Sequence, residues 1–183
     1  MVRLFIAIPI PEEVRAKIKD LVRDLESVRG LPKNIRFAPA ENWHFTLTFL
    51  GYQDELVVPA VKKSLTSILA SDVNNNIEIQ FEKLTYGPPG RTPRMVWLTT
   101  TKATSATLGR IKDDIEKELL KSGVKWRREN RPYQAHLTLA RFPAQSAEDL
   151  PTIEQDVNWE YTAGEINLMK STLKRTGAEY EIL

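Results

Sequence analysis

Two stretches of this chain open on its only two histidines and follow the same rhythm: His44-Phe45-Thr46-Leu47-Thr48-Phe49 and, 92 positions on, His136-Leu137-Thr138-Leu139-Ala140-Arg141. Both alternate polar and apolar residues with a period of two. In a β-strand, residues i and i+2 project to the same face. Each imidazole therefore shares a face with the threonine hydroxyl two positions on, while Phe45, Leu47, Phe49, Leu137 and Leu139 point the other way into a core. A fold that accommodates both strands leaves two imidazole and hydroxyl pairs on display.

The surroundings of the two stretches repeat. Phe5 lies 39 residues before His44, and Trp97 lies 39 residues before His136, with a short apolar strand, an amphipathic helix and an irregular connection in the same order. The first strand is Arg3 to Ile8, ended by Pro9 and Pro11. The helix after it has Glu12 and Glu13 at the positive end of its dipole and a stripe of Val14, Ile18, Leu21, Val22, Leu25 and Val28 before Gly30. The second strand is Met95 to Thr99, followed by a helix over Thr104 to Lys121 with Leu108, Ile111, Ile115 and Leu119 as its stripe. An offset of 92 sets Leu21 against Asp113, so what repeats is architecture more than sequence.

Elsewhere the pattern predicts a short strand at Ile35-Arg36-Phe37, a helix from Leu56 to Leu69, a break at Asn74-Asn75-Asn76, and a half-exposed strand from Ile77 to about Tyr86. Gly87 to Arg94 holds too many prolines and glycines for helix or sheet interior and forms a loop carrying Arg91 and Arg94. Gln145 to Gln155 reads as weakly helical and Tyr161 to Leu173 as a strand; Thr176-Gly177-Ala178 reads as a turn before a last strand, Glu179 to Leu183. The expected fold is α+β and bilobal: two pseudo-symmetric lobes with antiparallel sheets facing a central cleft and helices outside. Residues 1–183 form a single domain, with repeat halves of about 1–90 and 91–183 and room for strands to exchange between lobes. A pseudo-twofold axis sets His44 and His136 across the cleft.

Composition narrows the chemistry. A net charge of +2 from 26 basic and 24 acidic residues is too small to mark a nucleic-acid binder through bulk electrostatics, so any basic surface is local. With no cysteine, disulfides, thiolate metal sites and a cysteine nucleophile are excluded, and the cytoplasm is the default location. The apolar start Leu4 to Ile8 is too short to span a membrane and lacks a signal-peptide cleavage pattern. Two histidines without a third ligand fall short of a metal centre, and neither a metal nor a cofactor is expected.

Imidazole gives and takes protons near neutrality, and two facing imidazoles can do both in one turnover. Threonine hydroxyls beside them suit an oxyanion that gains charge in the transition state. Splitting of a phosphodiester by water fits that inventory. The two His-x-Thr strands, the start Met1-Val2-Arg3-Leu4-Phe5-Ile6-Ala7-Ile8, the run from Pro39 through His44 to Gly51, and the C-terminal pattern of Ser171, Gly177 and Tyr180 resemble the two-histidine (2H) phosphoesterases. Within them the chain is most similar to the RNA 2′,3′-cyclic phosphodiesterases, also called LigT-like 2′-5′ RNA ligases.

The resemblance implies a bilobal fold and metal-independent opening of a terminal 2′,3′-cyclic phosphate to a 2′-phosphate. His44 is then the general acid that protonates the departing 3′ oxygen and His136 the general base that deprotonates water, although near-symmetry allows the roles to exchange. Thr46 and Thr138 hold phosphate oxygens. Arg141 matches a family arginine that binds phosphate or the terminal nucleotide, but five residues from His136 it falls on the wrong face unless a bulge or strand end follows Ala140. Arg127, Arg128 and Arg131, near Trp126 and Tyr133, offer either an RNA-binding surface or a solvated loop, and Phe5 either a base-stacking ring or core. The implied partner is RNA ending in a cyclic phosphate, such as tRNA halves, met by a monomer. Alternatives are ATP-independent 2′-5′ RNA ligation and a non-catalytic module that binds RNA ends. Nucleotide-dependent ligation is disfavoured because no Lys-x-Asp-Gly motif or P-loop is present.

Overall fold

The computed structural model describes residues 1–70, 76–174 and 177–183. In chain order it contains β1 (Val2–Pro9), α1 (Glu12–Glu26), β2 (Arg36–Phe37), β3 (His44–Gln53), α2 (Val58–Leu69), β4 (Ile77–Gly87), β5 (Met95–Thr100), α3 (Lys102–Lys121), β6 (His136–Arg141), β7 (Gln155–Asp156), β8 (Glu160–Ala163), β9 (Asn167–Lys174) and β10 (Gly177–Ile182). Asn74 and Asn75 of the expected break and Thr176 of the expected turn lie outside the described residues. The strands build two antiparallel sheets, as the sequence pattern predicts. One has the order β10-β9-β1-β3, the other β2-β6-β5-β4-β7, with β8 pairing on β4. The sheets do not divide near residue 90: β2 and β4 join β5 and β6, and β9 and β10 join β1 and β3.

The helices form for local reasons that the sequence shows. Pro11 needs no donor partner of its own, and its carbonyl accepts from Val14 and Arg15, which starts α1. Thr101 accepts from Thr104 N at 3.3 Å and so starts α3 two residues before the expected point; such a cap is worth about 1 kcal/mol. α2 starts later than expected because Asp54 caps a 3-10 turn over Glu55–Val57, which leaves Leu56 exposed. The apolar stripes of all three helices pack with Leu4, Ile6 and Ile8 of β1, Phe45 and Leu47 of β3, Val96 and Leu98 of β5 and Leu137 of β6 in one continuous core.

Expectations for the C-terminal third fail in part. Gln145 to Gln155 is not helical beyond a 3-10 turn at Ala147–Asp149, because Pro151 cannot continue a helix and pushes Leu150 to extended backbone. Tyr161 to Leu173 is two strands, not one: β8 belongs to the second sheet and β9 to the first. The chain passes from one lobe to the other across 164–166.

Candidate active site

β1 pairs with β9 in unbroken register from Arg3 to Ala7, so Arg3, Phe5 and Ala7 share one face. β3 follows β1 less regularly. Ala7 faces Thr46, Phe5 faces Phe49 and Arg3 faces Tyr52, with register shifts that leave Leu47 and Leu50 as extra residues. A bulge inserts one residue and reverses the alternation beyond it. Gly51, at a φ of 72°, supplies the left-handed conformation that the second bulge uses. The exposed positions of β3 therefore recur every third residue, at Thr46, Phe49 and Tyr52. This corrects the placement of Phe49 in the core: it is 40% exposed on the histidine face, with the Arg3 guanidinium 4.6 Å from its ring centroid. Thr48 is buried instead and donates to Glu116 Oε1 at 3.4 Å.

A bulge also shapes β6. Thr99 faces His136 and Trp97 faces Thr138, but Met95 faces Arg141, which leaves Leu139 as the extra residue. Thr99, Trp97 and Met95 alternate regularly, so His136, Thr138 and Arg141 share one face. The extra residue falls one position earlier than sequence reasoning asked for, with the same effect on Arg141. Arg141 donates to Met95 Sδ at 3.0 Å.

Both imidazoles are held in the same way. His44 Nδ1–H donates to Asn42 O at 2.7 Å and His136 Nδ1–H donates to Gln134 O at 2.8 Å. A carbonyl only accepts, so Nε2 of each neutral ring is left as an acceptor. In His44, Nε2 accepts from Thr46 Oγ1 at 3.0 Å. In His136, Nε2 has no hydrogen-bond partner among the described residues. Burial lowers both pKa values below the usual 6.5; the backbone hydrogen bonds oppose this, and the charge of Arg141 adds to the lowering at both rings. One guanidinium thus acts on both histidines, and Arg131 acts on His136 as well.

The rings are also seated by aromatic neighbours. His44 lies 4.9 Å from Phe5 and 5.1 Å from Tyr180, centroid to centroid. Phe5 is 3% exposed, so it supports His44 from beneath. His136 stacks on Trp97 at 3.7 Å and 21°. The indole Nε1 is buried without a partner, so packing alone places it. Behind it stands Gly87, where a Cβ would lie 2.4 Å from the indole. The alternation of β4 showed neither this close approach nor the stack.

Tyr133 approaches the site from the other lobe and donates to Thr46 O at 2.9 Å; burial pushes its phenol pKa up. Arg131 pairs with Glu129 at 2.8 Å, and Arg128 with the buried Glu116 at 3.0 Å. Arg127 is exposed with no side-chain partner among the described residues, and so are Arg91 and Arg94. Among the described residues, no group of three His, Cys, Asp or Glu side chains is placed to hold a metal ion. Sequence reasoning missed Arg36, which stands directly across from Arg141 in the β2–β6 pairing. Its only signal was a basic residue within the short predicted strand.

Comparison with known proteins gives this geometry a context. A family model described as the 2′-5′ RNA ligase superfamily matches residues 10–175. The RNA 2′,3′-cyclic phosphodiesterase of Methanocaldococcus jannaschii is 30% identical over 99% of this chain and 98% of its own length; that of Bacillus subtilis is 33% identical over 75% and 69%. Among solved structures, the TT0787 protein of Thermus thermophilus superposes with a TM-score of 0.75 at 26% identity, over 99% of this chain and 94% of its own. E. coli LigT complexed with 3′-AMP gives 0.72 at 25% identity, over 100% and 95%. Both histidine strands fall inside the matched span, and the chain belongs to the 2′-5′ RNA ligase superfamily, a family of two-histidine phosphoesterases.

Proposed function

We propose that this protein hydrolyses a terminal 2′,3′-cyclic phosphate of RNA to a 2′-phosphate by two-histidine acid–base catalysis. The observation that carries this is the matched setting of the two imidazoles: each is anchored through Nδ1 to a backbone carbonyl, which leaves Nε2 as an acceptor, and the charge of one arginine, Arg141, reaches both. In the reaction, water attacks phosphorus and the bond to O3′ breaks. His136, whose Nε2 has no hydrogen-bond partner among the described residues, takes the proton of water; protonated His44 gives its proton to the departing O3′. Burial holds both imidazole pKa values below 6.5 in the free protein, and an anionic phosphate between the rings favours the charged form of the acid. Thr46, Thr138 and Arg141 donate to the phosphate oxygens as charge builds on them.

RNA as the substrate is supported by the names of the relatives and by the exposed rings of Phe49 and Tyr52 on the same face as His44, where bases can stack. Arg131 acts on the second histidine and Tyr133 lies three positions before it; with Arg127 we take them as contacts to the RNA strand. We take RNA ends such as tRNA halves as substrate, a single bilobal chain as the working unit and the cytoplasm as the place. Among the described residues no helix is long and apolar enough to cross a membrane. With a 5′-hydroxyl in place of water as the nucleophile, the same groups join a cyclic phosphate end to it as a 2′-5′ linkage, O3′ again leaving; this is the reaction the family is described by.

The test is incubation of the EDTA-treated protein with an oligoribonucleotide ending in a 2′,3′-cyclic phosphate. The expected product is the 2′-phosphate, with kcat reduced roughly 10²- to 10⁴-fold in each of His44→Ala and His136→Ala. Unchanged RNA, or variants as active as the wild type, overturns the proposal.

A further inference from the structure

Arg36 and Arg141 are direct cross-strand partners at the edge of the second sheet. Directly paired residues project to the same face, with Cβ atoms about 5 Å apart, and like charges placed so repel each other. The Leu139 bulge sets that face: it is the one bearing His136 and Thr138. No carboxylate relieves the repulsion, since neither guanidinium has an ion pair among the described residues, and the Arg36 side chain, which is exposed, has no partner there at all. Arg141 acts on both imidazoles, while Arg36, one strand further out, is not among the charges that shift either ring. A pair of unneutralised guanidinium groups leading outward from the reacting centre is complementary to consecutive phosphates of one strand.

Resting on the function proposed above, we infer that Arg36 binds the internal phosphodiester on the 5′ side of the terminal nucleotide, next to the cyclic phosphate held by Arg141. The site is thereby built for an oligoribonucleotide and discriminates against a cyclic mononucleotide, which has no internal phosphate to offer. Charge repulsion between Arg36 and Arg141 is relieved only when the strand is bound.

The test uses binding as well as turnover. Affinity for a fluorescent oligoribonucleotide ending in a 2′-phosphate is measured by anisotropy against salt for wild type, Arg36→Gln and Arg36→Lys. Arg36→Gln is expected to weaken binding roughly tenfold and to lower the slope of log affinity against log salt by about 0.7, the contribution of one phosphate contact on a single strand. Arg36→Lys keeps the slope and recovers part of the affinity. In turnover, the ratio of kcat/KM for a cyclic-phosphate oligonucleotide to that for a 2′,3′-cyclic mononucleotide falls by a similar factor in Arg36→Gln. An unchanged slope, or equal losses on both substrates, overturns the inference. Wild-type binding with the expected slopes but no turnover overturns the hydrolytic reading and leaves the phosphate site standing.

Discussion

The chemistry of the site rests on two rings whose protonation is set by opposed influences. Burial and Arg141 lower the pKa of His44 and His136, and the carbonyls of Asn42 and Gln134 partly restore it. Arg141→Gln removes a positive charge from both neighbourhoods, so both imidazole pKa values rise, which histidine Hε1 titration by NMR will read directly. The same variant loses a charged donor to phosphate, and KM is expected to rise about tenfold or more. The lowered values also make stability depend on pH. Below pH 6.5 the unfolded chain binds protons that the folded rings resist. The stabilising contribution is therefore fully present above 6.5, declines as pH falls toward the folded pKa values, and is gone below them. Urea midpoints taken between about pH 8 and pH 5 should show this decline in the wild type and less of it in His136→Asn, which has one fewer group to protonate.

At the level of elements, the second histidine is placed by three successive strands. Gly87 of β4 presents bare backbone to the Trp97 ring of β5, and His136 of β6 stacks on that ring. Gly87→Ala puts a methyl 2.4 Å from the indole, and either β4 or the indole must move. An overpacked core costs about 1–3 kcal/mol, and a displacement of about 1 Å at a catalytic group costs up to about 10²-fold in rate. The expected result is a lower melting temperature with a larger loss in kcat than in KM. Trp97→Leu in the same chain removes the clash, so the double variant should be more stable than the two single losses added together. The alternation around His44 and His136 showed in advance which threonines accompany them, because a period of two holds over the first three residues of each strand. It did not show the extra residues Leu47, Leu50 and Leu139, which are ordinary strand leucines; only Gly51 hinted at a break. Arg141 and Phe49 lie beyond those bulges, so their faces depend on pairing partners distant in sequence. For the same reason β8 and β9 read as one strand: the local pattern is continuous, and only pairing assigns them to different sheets.

The whole molecule has a cleft between its lobes but no seam in its core. Leu4 and Ile6 of the first sheet and Val96 and Leu98 of the second are buried in the same apolar cluster, together with the stripes of α1, α2 and α3. Polar ties follow the same course. Glu116 of α3, 2% exposed, accepts from Thr48 of β3 and pairs with Lys112 at 2.9 Å and Arg128 at 3.0 Å. Tyr133, ahead of β6, holds the backbone of Thr46. Exchanged strands strengthen the coupling, because β9 cannot leave the first sheet without pulling on β8 in the second. Opening one lobe alone would expose the apolar surface that the other packs against and strand a buried carboxylate, so partial opening approaches the cost of complete unfolding. Native-state hydrogen exchange measures this. With rising urea, the most protected amides of β1, such as Ile6, and of β5, such as Leu98, should converge on one opening free energy equal to that of global unfolding. Convergence at two different values would mean that the lobes unfold independently; the cleft would then be a hinge, and the alignment of His44 with His136 would have to be made by the bound RNA instead of by the fold.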